Sequence, residues 1–91
     1  MRLAEQIEIL DNIITEVCDT AEVSIDDIRS SFKSNILVAA RVLIVKKAVK
    51  QKIVIRLIQD KINRDRCSVL HYLNGYKKTY DYEMLKYKLE K

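Results

Sequence analysis

The 91-residue sequence contains no proline and a single glycine, Gly75. Tight turns recruit those two residues for their special backbone angles, so a sandwich, a barrel or any loop-rich fold is excluded and an all-α chain is expected. A lone glycine also excludes the glycine-rich loops that cradle phosphates, which need two or three glycines at fixed spacing, and with them nucleotide binding by those routes. Only two cysteines occur, Cys18 and Cys67, and no secretory leader pattern stands ahead of them. A disulfide-stapled secreted scaffold is therefore not expected; a reducing, cytoplasmic setting is. Long apolar runs are missing too. The longest, Ile36 to Ala40, stops at Arg41, far short of the roughly 18 residues a spanning helix needs, so a soluble protein without a membrane partner is expected.

What is present is a globular balance, 48% hydrophobic and 33% charged, at a length suited to one domain over residues 1–91. The net charge of +4 is unevenly spread. From Met1 to Ile28 eight acids face Arg2 alone, whereas from Arg29 to Lys91 sixteen lysines and arginines face five acids. A domain that turns one basic face to a polyanion and an acidic helix away from it has this pattern, and nucleic acid is the leading partner on charge.

Apolar residues at steps of three and four mark the helices. Leu3, Ile7, Leu10, Ile13, Ile14, Val17 and Cys18 predict a first helix over 3–20, acidic on its other face. Ser24 with Asp27 resembles a capping box and predicts a short helix from Ile25 to Phe32, with Ile25, Ile28 and Phe32 inward. A third helix is expected from Ser34 or Asn35, burying Leu37, Ala40, Leu43, Ile44 and Val49, with Lys46, Lys47 and Lys50 outward. No breaker separates it from Ile53, Val54, Leu57, Ile58 and Ile62. One helix of nearly thirty residues would be unusual in so small a domain, so a break is expected near Gln51. Asn63 suits a left-handed helix stop and Asp65 suits the cap of the next helix, which runs from Arg66 to Lys78 with Val69, Leu70 and Leu73 inward. Asp81 is the expected cap of a last helix carrying Leu85 and Leu89.

A short apolar helix, a turn at Asn63 and a helix opening Arg64-Asp65-Arg66-Cys67-Ser68-Val69-Leu70-His71 form a helix-turn-helix pattern with the recognition helix second. These residues resemble the signature of the DNA-binding C-terminal domain (domain IV) of the bacterial replication initiator DnaA, which reads Gly-Arg-Asp-His-Thr-Thr-Val-Leu-His. Arg64, Asp65, Val69, Leu70 and His71 match it; Arg66, Cys67 and Ser68 replace His, Thr and Thr. Ser24-Ile25-Asp26-Asp27-Ile28 resembles the segment before the family's basic loop, and Ala40-Arg41 falls where the family carries Ala-Arg. The similarity covers residues 9–80, with its specific part in 58–71.

The resemblance implies a TrpR-like fold and sequence-specific binding of double-stranded DNA. It implies that Asp65, Arg66, Cys67 and Ser68 face the major groove and that Arg41 reaches the minor groove or backbone. Lys33, Arg64, Lys50 and Lys52 are the further cations expected on the backbone, and Lys33, Arg41, Arg64 and Arg66 are expected on one face. The chain departs from the family in three ways, the first being that the Gly-Gly turn has become Asn63 with one residue missing, which is expected to shift the recognition helix slightly. Its loop before the long helix offers Lys33 and then apolar residues, and it carries no counterpart of the ATP-binding motor. A regulator of replication or transcription, nucleoid-associated and without a motor, is the reading that results.

Other constellations point less far. Arg66 at the start of a recognition helix can give a bidentate pair to O6 and N7 of guanine. Cys67 and His71 stand four apart on a helix, but a closed zinc site takes four ligands, so no metal is expected. His71 is expected to be partly buried. Tyr72, Tyr76 and Tyr80 are expected to pack their helix against a neighbour rather than stack on bases. No nucleophile–base pair or carboxylate pair suggests catalysis, and neither an enzyme nor a cofactor is expected. The alternative is a protein-interaction module on the same scaffold, binding a partner through the acidic first helix or through Ile36, Leu37 and Val38.

Overall fold

Side-chain oxygens start four of the helices, and left-handed residues stop three. The structure, a computed structural model, describes residues 2–90. It contains α1 (Leu3–Ala21), α2 (Ile25–Arg29), α3 (Asn35–Lys50), α4 (Ile55–Ile62), α5 (Arg66–Asn74) and α6 (Tyr80–Leu89), with no strand among the described residues. Ser24, Ser34, Asp65 and Thr79 each accept from an amide three residues on, satisfying donors the helix leaves open. At α2 the box is complete, since the Ser24 amide also donates to the Asp27 carboxylate at 3.1 Å. The last helix is capped by Thr79 rather than by Asp81, which lies in its first turn and complements the dipole there.

Glu22, Lys52 and Asn63 have φ of 59°, 63° and 55°. After each, an amide reaches back five residues, Val23 to Cys18, Ile53 to Ala48 and Arg64 to Gln59, the bond of a Schellman stop. The break expected near Gln51 is therefore a turn in which Lys52 takes the conformation usually given to glycine and Ile53 drops into the core. The left-handed state costs a residue with a Cβ about 1 kcal/mol. Lys52→Gly should accordingly stabilise the fold by about 1 kcal/mol and raise the melting temperature by roughly 4–8 °C, measured by denaturant and thermal unfolding. An unchanged or lower value would show that Lys52 is not strained.

α3 is the centre of the molecule and touches every other helix. Leu37, Ala39 to Val45 and Ala48 are all buried, so α3 has no wet face over most of its length and shows little amphipathic pattern. Leu10, Ile14 and Val17 of α1, Ile58 and Ile62 of α4, Val69 of α5, and Tyr82 and Leu85 of α6 close around it. A buried side chain absent from the apolar pattern completes the frame. Gln6 of α1 accepts the Val54 amide at 3.0 Å, tying α1 to the start of α4.

Several expectations are corrected. α2 stops at Arg29 because Ser30 turns extended, leaving Phe32 67% exposed beyond it, and Ile25 sits on the outer side of that short helix. α4 begins at Ile55, two residues later than its apolar pattern, because the Schellman turn uses Ile53. α5 ends at Asn74 rather than Lys78. A Cβ on Gly75 would stand 2.9 Å from the exposed His71 ring, which would have to swing aside for any larger residue there. Lys46 and Lys47 are half-buried rather than outward, held between α3 and α6. Among the tyrosines, Tyr72 and Tyr76 are half-buried as expected, Tyr80 is exposed, and Tyr82 is the one in the core.

Candidate nucleic-acid interface

The carbonyls at the C-terminal end of α2 are the nucleus of the site. A helix end leaves acceptors open, and here three side chains from elsewhere take them. Arg41 donates through Nε to Ile28 at 2.9 Å and through Nη2 to Asp27 and Ser30, both at 3.1 Å. Asn63 donates its amide to the Arg29 carbonyl at 3.1 Å, and Arg64 donates to the same Ser30 oxygen as Arg41. Arg29 answers from α2 by donating to the Asp60 carbonyl at 3.3 Å. The turn between α4 and α5 is thereby braced against α2, which fixes where α5 begins.

The assignment of Arg41 to the DNA surface is corrected by this geometry. Arg41 is fully buried, because it lies in the middle of an apolar stretch on a helix covered all round. Burial lowers its pKa first and the charge of Arg64 second, with Tyr72 acting in the opposite sense. Its Nη1 is buried as well. No phosphate can reach it; its role is to hold α2 and α3 together.

α5 opens with Asp65, whose Oδ1 accepts the Ser68 amide at 2.7 Å. That bond to the backbone, seconded by the Ser68 side chain, pulls the Asp65 pKa below the ordinary carboxylate value. The residue grouped among the base readers thus has one carboxylate oxygen committed to starting the helix. A depressed folded-state pKa adds stability that is fully present above the unfolded value and is lost as pH falls through the ordinary carboxylate range to the folded value. Asp65→Ala should lower the melting temperature at neutral pH, and the gap to the parent should close in acid. Asp65→Asn, which keeps an acceptor, should retain the cap without that pH dependence. A gap that persists undiminished in acid would contradict this.

Beyond the cap, Arg66 and Cys67 stand exposed on the first turn of α5, and Ser68 is half-buried. A cleft of about 550 Å³ lies between this turn and the loop leading into α3. Lys33, Arg64, Cys67 and Ser68 line it together with His71 and Tyr72, and no carboxylate is among its lining residues. The structure thus brings four of the expected site residues to one place, with Arg66 beside them on the same turn. His71 is exposed at the rim, not partly buried. Lys50 and Lys52 do not join this group. They lie at and just beyond the far end of α3, a helix about 24 Å long by its rise of 1.5 Å per residue. The cleft therefore takes cations from the α2–α3 loop and the α4–α5 turn rather than from the end of α3.

The alternative partner surfaces are also altered. Leu37 is buried and Ile36 and Val38 are half-buried, so that segment is core rather than a free apolar face. On α1, Asp11 is paired with Lys61 at 2.8 Å. Cys18 is buried, and burial raises its pKa, with Asp19 and Asp27 adding to the effect. Among the described residues no three His, Cys, Asp or Glu side chains gather as a metal site, and no helix is long and apolar enough to cross a membrane. Compared with known proteins, the chain matches no family model, no curated protein and no solved structure.

Proposed function

We propose that the chain binds double-stranded DNA with sequence preference, through an α4–turn–α5 helix-turn-helix of the kind its resemblance to the DnaA C-terminal domain implies. One observation carries the reading: Lys33 and Arg64 line a cleft free of carboxylates against the exposed N-terminal turn of α5, which bears Arg66. Phosphate contacts position a reader and base contacts give its preference, and the cleft offers a place for each. Lys33 takes a backbone phosphate, helped by the positive end of the α5 dipole and by the charge of Arg64, whose guanidinium is partly committed to the Ser30 and Asn63 carbonyls. Arg66 and Cys67 then meet base edges in the major groove, with Asp65 restricted by its cap. The TrpR-like arrangement, the nucleoid location and a role as a motorless regulator of replication or transcription belong to this proposal.

Selection from a random duplex library by the full chain tests it. The expected result is an enriched motif bound with an affinity that falls steeply as salt rises, because phosphate neutralisation releases counterions. Absence of both enrichment and salt-sensitive binding overturns it. In that event Phe32, 67% exposed and next to Lys33 in the chain, favours the interaction module instead, with the aromatic ring as anchor.

A further inference from the structure

A second basic cleft lies between the C-terminal half of α3 and α6. It measures about 300 Å³, and Lys46, Lys47, Lys50, Lys78 and Lys86 line it against one acid, Glu90. This one feature concentrates as much net positive charge as the whole sequence carries, +4. Lys46, Lys47 and Lys86 are half-buried over a floor that includes Leu43 and Tyr82, so water screens their mutual repulsion less than on an open surface. Glu90 at the rim and Glu16, which lines an adjoining cleft with Lys47 and Lys50, are the carboxylates nearby, and neither closes an ion pair with the group: among the described residues the only side-chain ion pair is Lys61 with Asp11.

Helix dipoles account for part of this. Lys47 and Lys50 lie in the last turn of α3 and Lys86 in the last turn of α6, where cations are favoured singly. They do not account for Lys46 or Lys78, nor for five lysines lining one concavity. Lys46 is also held in place, its Nζ 5.2 Å from the centre of the Tyr82 ring, which itself packs on Tyr76 with centroids 5.6 Å apart. A cluster in which lysines outnumber the acids beside them is complementary to a polyanion.

We propose that this cleft is a binding site for a small ligand carrying two or more contiguous phosphate groups. Its volume is at the lower limit of small-molecule sites. The Tyr82 ring is buried, which leaves no open aromatic face in the cleft for a base to stack on. Recognition is by phosphate oxygens alone, and lysines, as mobile point charges with three donors each, suit a compact phosphate chain. A duplex presents its phosphates spaced along a convex surface, a poorer match to donors converging into a concavity.

The test titrates the full chain with sodium tripolyphosphate, against sodium sulfate at equal ionic strength, by calorimetry and by thermal melting. Tripolyphosphate should bind with about one equivalent and raise the melting temperature saturably, where sulfate does neither. Lys47→Gln/Lys86→Gln should weaken binding by about tenfold or more through loss of two charged donors. The exposed Lys78→Gln should weaken it severalfold without burdening the fold, and Lys33→Gln, in the other cleft, should bind as the parent does. Without ligand at low salt, the double variant should melt no lower than the parent, since like charges have been removed. Equal effects of sulfate and tripolyphosphate overturn the proposal, as does undiminished binding by both the Lys78 variant and the double variant. Failure of tripolyphosphate to bind, with duplex affinity falling in the double variant, also overturns it and makes the cleft a nucleic-acid surface.

Discussion

Arg41→Ala is expected to destabilise the fold by about 2 to 4 kcal/mol, a drop of roughly 10–25 °C in melting temperature for a domain of this size. Its guanidinium serves three carbonyls at once, and the one on Ile28 has no other donor from α2, which ends one residue later. Hydrogen bonds from charged groups are each stronger than neutral ones, and a side chain of this size leaves a void when truncated. Arg41→Lys should not restore stability, because one ammonium cannot reproduce a planar fork spread over Asp27, Ile28 and Ser30. Arg41→Met should fall between alanine and the parent by recovering the packing of the stem alone. A methionine variant as stable as the parent would mean that the guanidinium is dispensable. Urea unfolding of the three variants separates these outcomes.

Arg66→Ala and Lys33→Ala are expected to fail on DNA in different ways. Arg66 stands on the exposed first turn of α5, so its loss should cost about 1 to 3 kcal/mol on the best site and flatten preference at one base pair, a G·C pair. Lys33 lines the cleft from the loop before α3, and its loss should weaken all duplexes alike and reduce the salt slope by about one. Titration of each variant against matched and single-mismatch duplexes at several salt concentrations reads both effects. Equal losses on every duplex for Arg66→Ala would make Arg66 a phosphate contact.

The starts of α2, α3 and α5 were legible because capping is local. Ser24, Ser34 and Asp65 carry the right oxygen next to the amides they satisfy. Asn63 was legible for the same reason, as a side chain tolerant of φ near 55°. Lys52 was not, since nothing in a lysine announces a left-handed residue; that stop is imposed by burial of Ile53. Arg41 was misplaced by resemblance although its neighbours carried the opposite signal. Leu37, Ala40, Ile44, Val45 and Ala48, all within one or two turns of it, are buried, and a cation so surrounded is directed inward to whatever acceptors it can find. Tyr82 stands three residues before Leu85 and seven before Leu89, a helical stripe masked by the more numerous tyrosines around it. The long-range pairs of the brace, Arg41, Asn63 and Arg64 on the end of α2, join residues 11 to 34 positions apart and leave no trace in local pattern.

Amide chemical shifts of the full chain, followed as a duplex chosen by library selection is added, test the central claim most directly. Changes should concentrate at Ser31 to Lys33 and from Arg64 to His71, around the cleft and the first turns of α5, with little change at Lys46, Lys47 and Lys86. Changes centred on those three lysines, or no changes at all at concentrations that saturate a salt-sensitive DNA reader, would contradict the claim that α5 is the element presented to DNA.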